Sequence, residues 1–295
     1  MRIVSLVPHA TELCFALGLG DQVVGVTHEC DFPPEAAQAT AVTADLLPDG
    51  LDSAGIDAAV KEKTGGGEAI YALDAEALKE LEPDLIITQA LCPVCAVGYD
   101  DVAAVAAEME EPPEIVSLDP HTFGETMVDI RTVAQATGTE REALALIASQ
   151  RERVDAVVAA VADEPIVSCV AIEWLDPVFV AGHWTPQLIE MAGGDDPLGL
   201  PGEASPQLDW ETVGAAEPEV VVVMPCGFDA ARSLELAEEF REPLLATGAR
   251  KIVCVDGSAT FSRPGPRLVD GLENLAHILH PGAVPLAPGP ILELQ

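Results

Sequence analysis

Short apolar runs of strand length alternate with amphipathic stretches of helical period along most of the chain. The apolar runs are rich in Val and Ile, as is typical of strands buried in a sheet, and they cover residues 2–6, 22–27, 84–88, 114–118, 166–174, 178–181, 219–224 and 251–256. The helical stretches cover residues 10–17, 74–81, 185–192, 209–216 and 267–279. This alternation predicts an α/β fold with mainly parallel sheets.

The segment 122–162 differs from the rest of the chain, because it lacks Pro and has a helical period throughout, with Gly138 in its interior. Its length favours a single long backbone helix that connects two lobes. We therefore predict an N-terminal α/β lobe over residues 1–121, the connecting helix over 122–162 and a C-terminal α/β lobe over 163–281. The Pro-rich tail over 282–295 is predicted to be irregular.

A pattern of Asp, short amphipathic helix, Pro and buried strand occurs at residues 73–87 and again at 208–222. In each copy the Asp is placed to cap the helix, and the Pro ends it. The first turn of each helix carries a glutamate, Glu76 in the first copy and Glu211 in the second. The pattern indicates either two equivalent lobes or a helix–strand unit that is common in α/β proteins.

Residues that are scarce in this chain follow the carboxyl ends of the predicted strands, where open α/β sheets bind their ligands. They are His28, Glu29, Cys30, Cys92, Cys95, His183, Trp184, Cys226, Phe228, Phe261 and Arg263. The three aromatic rings would wall a flat ligand, and an imidazole or thiolate would lie near its metal. The guanidinium would pair with a ligand carboxylate or amide. Packing within the loops is the alternative for each of these side chains.

Cysteine placement leaves metal or redox chemistry as a second option. Cys92 and Cys95 form one CxxC pair, which would need Cys30 and Cys226 to complete a metal site; lining of a ligand pocket is the alternative. The remaining cysteines, Cys14, Cys169 and Cys254, fall within helix or strand patterns and are predicted to be core residues. An odd count of 7 cysteines argues against a disulfide framework.

No motif of a nucleophilic or zinc hydrolase is present, neither GxSxG nor HExxH, so we do not predict an enzyme. The run Gly65-Gly66-Gly67 lacks the preceding strand and the following Lys-Ser/Thr of a phosphate loop. It is interpreted as a flexible linker within an excursion over residues 44–70.

Charge narrows the set of partners. The chain of 295 residues has 50 Asp and Glu against 14 Lys and Arg, a net charge of −36, yet its mean hydropathy is +0.27. Such a surface repels nucleic acid and anionic lipid and is typical of proteins adapted to high salt. Neither a membrane-spanning run nor a signal peptide precedes the first strand, which predicts a cytoplasmic protein, or an extracellular, membrane-associated one if the true start lies upstream.

Three motifs near the start carry a family resemblance: RIVSLVPHATEL over residues 2–13, LGLGDQVVGV over 17–26 and CDFPP over 30–34. They resemble the class III solute-binding proteins of ABC transporters, most closely the branch that binds vitamin B12 (cobalamin). Later segments agree, at residues 83–86, 218–221 and 263–273. The resemblance implies two Rossmann-like lobes joined by one helix, with a ligand cleft between them.

That resemblance also implies a function: binding of a corrinoid ligand by a monomer that is not inserted in the membrane. It further implies that Glu76 and Glu211 dock onto a transporter permease. Other ligands remain as alternatives, either haem or an iron–siderophore, and so does a cytoplasmic Cys/His metal or redox protein.

Overall fold

The computed structural model describes residues 1–48, 50–66, 69–90, 96–284 and 289–294. The chain divides into two compact units. The first comprises Met1–Pro120 with Thr126–Ile147, and the second comprises His121–Glu125 with Ala148–Gln295. No helix in the described ranges combines the length and the apolar character that crossing a lipid bilayer requires.

The first unit is built on a parallel sheet. Its strands are β1 (Ile3–Ser5), β2 (Val23–Val26), β3 (Thr40–Ala41), β4 (Thr43–Asp45), β5 (Tyr71–Leu73), β6 (Leu85–Thr88) and β7 (Glu114–Ser117). Five of them form an all-parallel sheet in the order β3-β2-β1-β6-β7, with Ile3 opposite both Val23 and Leu85. The other two strands, β4 and β5, pair antiparallel in a small sheet of their own.

The helices of this part of the chain are α1 (Pro8–Ala16), α2 (Ser53–Gly65), α3 (Ala75–Glu80), α4 (Tyr99–Ala107) and α5 (Phe123–Thr137). Of these, α1 and α5 pack on one face of the sheet, and α3 and α4 pack on the other. Successive side chains of a strand point to opposite faces. Ile3 and Ile87 accordingly join one hydrophobic cluster, while Val4 and Ile86 join another. A sheet buried on both faces explains the continuous apolar runs in the sequence.

The second unit has strands β8 (Val167–Leu175), β9 (Val178–Val180), β10 (Gly194–Asp195), β11 (Val220–Val223), β12 (Lys251–Cys254) and β13 (Leu292–Glu293). The sheet order is β10-β8-β11-β12-β13, and β9 pairs antiparallel with β8. The helix α6 (Glu140–Val161) begins in the first unit, which contains its residues up to Ile147, and continues into the second. The other helices of the second unit are α7 (Thr185–Met191), α8 (Trp210–Ala215), α9 (Ala230–Glu239), α10 (Arg241–Ala246), α11 (Gly257–Thr260) and α12 (Leu268–Leu279). The predicted α/β class with mainly parallel sheets is confirmed.

The connecting segment is not one continuous helix. The first helix, α5, ends at Thr137, and α6 begins at Glu140. Between them Gly138 adopts φ +71°, the left-handed conformation that commonly ends a helix. The backbone N–H of Thr139 donates to the carbonyl of Ala134 at 3.0 Å and closes the end of α5. The single interior glycine therefore breaks the predicted helix into two.

Regular structure is found at the glycines predicted to form a flexible linker and in the tail predicted to be irregular. The excursion over 44–70 includes α2, whose last residue is Gly65 and whose C-cap is Gly66, so these glycines end a helix; Gly67 lies outside the described residues. In the C-terminal tail, β13 pairs antiparallel with β12, and Leu294 is buried in the core beside it. Apolar residues near the chain end therefore extend the second sheet.

The repeated sequence pattern has matching backbone geometry in the two units. The N-cap of α3 is Asp74, whose Oδ1 accepts from the N–H of Ala77 at 2.9 Å, and the N-cap of α8 is Asp209, whose Oδ1 accepts from Thr212 at 2.7 Å. After each helix a glutamate adopts a left-handed conformation, Glu82 at φ +42° and Glu217 at φ +47°. The units therefore repeat the helix–turn–strand element in detail.

Candidate functional site

In the first unit, the segment after β2 is a tight turn that carries the predicted His28, Glu29 and Cys30. Thr27 organises this turn: its carbonyl accepts from the N–H of Cys30, and its hydroxyl accepts from the N–H of Glu29, both at 3.2 Å. Side chains of the turn lie at the carboxyl end of the parallel sheet, as predicted. Of the three predicted residues, His28 and Glu29 are exposed there.

His28 is held by β4 and β5. Oγ1 of Thr43 lies 2.7 Å from Nδ1 of His28, and the same oxygen accepts from the backbone N–H of His28 at 3.1 Å. The ring of Tyr71 lies against the imidazole with centroids 5.4 Å apart. The Tyr71 hydroxyl in turn donates to Oε1 of Glu29 at 3.5 Å. The four side chains form one polar cluster, which we call the His28 cluster.

This cluster borders a small, partly open pocket in the first unit. Its walls are Leu6, Pro8, Thr27, His28, Glu29, Thr43, Tyr71, Ala96 and Val97. Apolar side chains with a few convergent polar groups are the usual lining of a small-molecule site. Thr43 and Tyr71 were missed by sequence analysis, because their position depends on an antiparallel pairing across the long excursion that holds α2.

Cys30 is buried beneath the turn that follows β2. Its sulfur lies 3.1 Å from the hydroxyl oxygens of Thr11 and Thr27. The other two predicted cysteines of this unit, Cys92 and Cys95, lie outside the described residues. Among the residues that the structure does describe, no group of three or more His, Cys, Asp or Glu is arranged to hold a metal ion. The metal or redox interpretation therefore stays a prediction.

In the second unit, His183 has an unusual backbone conformation. It adopts φ +51°, a left-handed conformation that residues other than glycine rarely adopt. Two backbone hydrogen bonds hold it there: its N–H donates to the carbonyl of Glu203 at 2.7 Å, and its carbonyl accepts from Gly202 at 2.9 Å. Nδ1 of the ring lies 3.2 Å from the same Glu203 carbonyl. A carbonyl only accepts, so Nδ1 carries the proton and Nε2 carries the lone pair.

Aromatic residues and a second histidine surround His183. The imidazole of His121 lies 5.9 Å from its ring, and the indole of Trp184 lies 5.6 Å away in an edge-on arrangement. Burial and the nearby His121 lower the pKa of His183, which favours the neutral form of the ring. The sequence indicated no site role for His121, because only tertiary folding brings it to His183.

The predicted aromatic residues of this unit differ in exposure. Nε1 of Trp184 donates to the carbonyl of Phe261 at 2.8 Å, and the two residues are 7% and 3% exposed. Phe228 is half-buried, with its ring 5.9 Å from that of Trp174. Arg263 is half-buried in the loop between α11 and α12. Trp184 and Phe261 therefore pack below the protein surface, and their rings offer little accessible area to a ligand.

The half-buried carboxyl of Glu173 lies beside Cys226. Burial raises the pKa of Glu173 to about 7, against an opposing hydrogen bond from Ser205. The backbone N–H of Cys226 donates to the carbonyl of Glu173 at 3.2 Å. Cys226 as a whole is exposed to solvent, but its sulfur forms a hydrogen bond with the side chain of Ser262. Desolvation, together with the charge of Glu173, raises the pKa of this thiol to about 12, which leaves little thiolate for metal binding.

The cysteines predicted to be core residues are buried: Cys14, Cys169 and Cys254. Burial raises the pKa of Cys14 to about 12 and that of Cys254 to about 12 as well. These thiols are therefore protonated and inert at neutral pH.

Glu76 and Glu211 occupy equivalent positions in the repeated element, each in the first turn of its short helix. Both are exposed, and the Glu76 side chain is 87% accessible even though Lys79 lies 3.8 Å away. A carboxylate at a helix start is favoured by the helix dipole, so the placement also has a local cause.

Comparison with known proteins gives a consistent family match. Residues 3–247 match the family described as Periplasmic binding protein. The vitamin B12-binding protein of Vibrio cholerae is 22% identical, over 94% of this chain and 88% of that protein. The cobalamin-binding protein of Halobacterium salinarum is 26% identical, over 95% of this chain and 69% of that protein. The solved periplasmic haem-binding protein RhuT of Roseiflexus has a TM-score of 0.69 and 23% identity, and covers 96% of this chain and 98% of its own.

These matches correct one prediction. The expectation of a cytoplasmic location is wrong, because the family that matches residues 3–247 is described as periplasmic. The predicted two-lobe α/β scaffold agrees with the same comparisons.

Proposed function

The chain belongs to the periplasmic binding protein family, and from that premise we propose that it binds a corrinoid and delivers it to an ABC importer. Members of this family bind solutes and are not enzymes. The observation that carries the ligand class is that relatives named for vitamin B12 and cobalamin align over more than nine-tenths of this chain.

His183 is the residue we assign to the metal side of the ligand. Its Nδ1–H is committed to the carbonyl of Glu203, so Nε2 presents a lone pair. A metal-ligating histidine commonly donates its other N–H to a carbonyl in this way. A left-handed backbone conformation at a non-glycine residue stores strain, and such strain concentrates at ligand sites.

The neighbouring residues would position that imidazole. Trp184 follows His183 directly, and its hydrogen bond to the Phe261 carbonyl anchors it to the loop before α12. Burial of both rings makes this anchor rigid. The surface for a flat ligand would then come from two half-buried side chains, the Phe228 ring and the Arg263 guanidinium.

Docking to a permease completes the proposed role. Glu76 and Glu211 are exposed at equivalent positions of a repeated element, so each unit would present one carboxylate to basic residues of the transporter. The partners we propose are a small-molecule ligand and a permease. We propose no direct insertion of this chain into the membrane.

Titration with aquocobalamin, whose cobalt carries an exchangeable water, tests the proposal. We expect binding by calorimetry together with a shift of the visible bands as imidazole replaces water. In His183→Ala the band shift should disappear and the affinity should fall at least about ten-fold. His277→Ala is the matched control, because Nδ1 of His277 also contacts a backbone carbonyl, that of Val284 at 3.0 Å.

The outcomes separate the ligand classes. No binding of cobalamin at tens of micromolar in about 1 M KCl, where charge repulsion is screened, would overturn the corrinoid proposal. Binding of haemin instead would identify the haem alternative. Binding of cobalamin with an unchanged spectrum in wild-type protein would leave the corrinoid role intact and remove His183 from the metal.

A further inference from the structure

Glu173 is the extra residue of a β-bulge in β8. The pairing of β8 with β9 advances two residues on β8, from Ile172 to Trp174, for one residue on β9. A bulge of this kind bends its strand and re-aims a side chain, and bulges are frequent next to functional sites. This one lies near the carboxyl end of β8, at the edge of the sheet where ligands of α/β folds bind.

Ser205 joins Glu173 to the turn that carries His183. The Ser205 hydroxyl donates to the Glu173 carboxyl group, and its Oγ accepts the backbone N–H of Gly182 at 3.0 Å. A hydroxyl has one proton and two lone pairs, so a single side chain makes both bonds at once. These bonds run from Glu173 to the residue immediately before His183, and we call them the Glu173 relay.

The backbone around this turn is closely packed. A Cβ on Gly182 would lie 2.5 Å from the carbonyl oxygen of Glu203 and 2.8 Å from the backbone nitrogen of Ser205, so only glycine lets the two segments approach this closely. Gly182 is buried, and within the described residues Ser205 Oγ is the acceptor recorded for its N–H. Loss of that acceptor would loosen the turn directly before His183.

We propose that Glu173 and Ser205 are positioning residues that hold the His183 imidazole in the orientation needed to coordinate the cobalt of a corrinoid; this inference rests on the proposed function. They act through the backbone and not by contact with the ligand. The carboxyl group fixes the direction of the Ser205 hydroxyl, and that hydroxyl fixes the N–H of Gly182. Because His183 is in a strained left-handed conformation, its orientation depends on such support.

Hydrogen exchange of the ligand-free protein, resolved by residue, tests the relay by itself. In Ser205→Ala the amide of Gly182 loses its acceptor, and we expect its protection factor to fall at least about ten-fold. Glu173→Met has a side chain of similar length without the carboxyl group and should lower the same protection factor several-fold. Glu173→Gln keeps a carbonyl that accepts from Ser205 and should recover most of what Glu173→Met loses.

Titration with aquocobalamin then links the relay to ligand binding. Ser205→Ala and Glu173→Met should each lower the affinity several-fold and weaken the band shift that reports coordination by imidazole. The double variant should bind no more weakly than Ser205→Ala alone, because Glu173 acts through Ser205. Glu173→Gln should restore most of the band shift, which a role that depends on the negative charge would not allow.

Thr247→Val is the matched control. The Thr247 hydroxyl also accepts a backbone N–H, that of Ala249 at 3.3 Å, and donates to a carbonyl, that of Leu244 at 2.7 Å. It is buried in the same unit but precedes β12, whereas the relay lies after strand ends. Its loss should leave both the exchange of Gly182 and the band shift as they are in wild type.

The possible results distinguish this inference from the proposed function. Unchanged protection of Gly182 in folded Glu173→Met, additive losses in the double variant, or equal effects in Thr247→Val would overturn the relay and leave corrinoid binding standing. Reduced protection with an unchanged band shift would overturn the positioning of His183. A wild-type protein without a band shift would overturn the role of His183 and this inference with it, and the ligand-free exchange data separate that result from an absent relay.

Discussion

The hydroxyl oxygen of Thr43 lies 2.7 Å from Nδ1 of His28 and 3.1 Å from the backbone nitrogen of the same residue. One side chain on β4 thus sets both the backbone and the ring of a histidine that follows β2. Thr43 is itself 8% exposed, so its hydroxyl depends on these partners for its hydrogen bonds.

Replacing that hydroxyl should loosen His28. In Thr43→Val the shape is conserved but both hydrogen bonds are lost, and we expect the free energy of unfolding to fall by about 1–2 kcal/mol. Affinity for aquocobalamin should fall several-fold if the pocket lined by His28 holds part of the ligand, because the imidazole is no longer oriented. Urea denaturation and calorimetry measure the two effects. Thr43→Ser keeps the hydroxyl and should retain most of the affinity; equal losses in both variants would point to packing instead.

The buried indole bond in the second unit predicts a stability effect. Trp184→Phe leaves the Phe261 carbonyl without its 2.8 Å donor, so we expect a loss of about 2 kcal/mol in the free energy of unfolding. Trp174→Phe is the matched control, since its Nε1 bond to the Asp176 carbonyl at 3.1 Å is exposed to water. Its loss should stay below about 1 kcal/mol. A larger loss in the control would contradict this assignment.

Glu173 predicts a pH dependence of stability. Its pKa is raised by burial from 4.5 to about 7 in the folded protein, so between these values the folded state binds a proton that the unfolded state has released. Stability should therefore fall as pH rises through this window, by up to about 1.4 kcal/mol per pH unit, and level off above it.

Glu173→Gln isolates this effect from the other acidic groups. Variant and wild type should have similar stability near pH 4.5, the lower end of the window, and the variant should become progressively more stable up to about pH 7. Urea denaturation across that range gives the difference between the two curves. Glu203→Gln, which removes an exposed carboxylate of the same unit, is the matched control. A Glu173→Gln curve parallel to wild type would show that folding does not raise the pKa of Glu173.

The net charge of −36 predicts a dependence on salt. Mutual repulsion of surface carboxylates destabilises the compact state, and about 1 M KCl shortens the screening length to about 3 Å. We expect the urea midpoint to rise steeply between low salt and this concentration. A midpoint that is flat over the whole range would contradict adaptation to high salt.

Docking predicts a paired effect on the transporter complex. Glu76→Lys combined with Glu211→Lys reverses both exposed carboxylates and should abolish binding to the cognate permease in detergent or nanodiscs. Each helix keeps its Asp cap, so the units should stay folded. Glu80→Lys with Glu239→Lys reverses two other exposed charges and should bind as wild type does. Retained binding of the first pair would reject the docking role.

Much of the fold is readable from local pattern. Strands such as Val220–Val223 are apolar without interruption because both faces of their sheet are covered. The Asp caps and Pro breaks mark α3 and α8 to within a residue, since they act through the nearest backbone groups. The left-handed Gly138 shows the limit: a helical period on both sides of a glycine does not reveal that the helix stops there.

The candidate site follows partly from local sequence pattern and partly from contacts made only in the tertiary structure. The sequence by itself located the strand ends and their scarce residues, because strand period and turn chemistry are local properties. Only the tertiary structure joined His28 to Thr43 and Tyr71, buried Trp184 against Phe261, and brought Glu173 beside Cys226. Those contacts depend on pairing between segments far apart in the chain, and no local periodicity encodes which distant side chain completes a hydrogen bond.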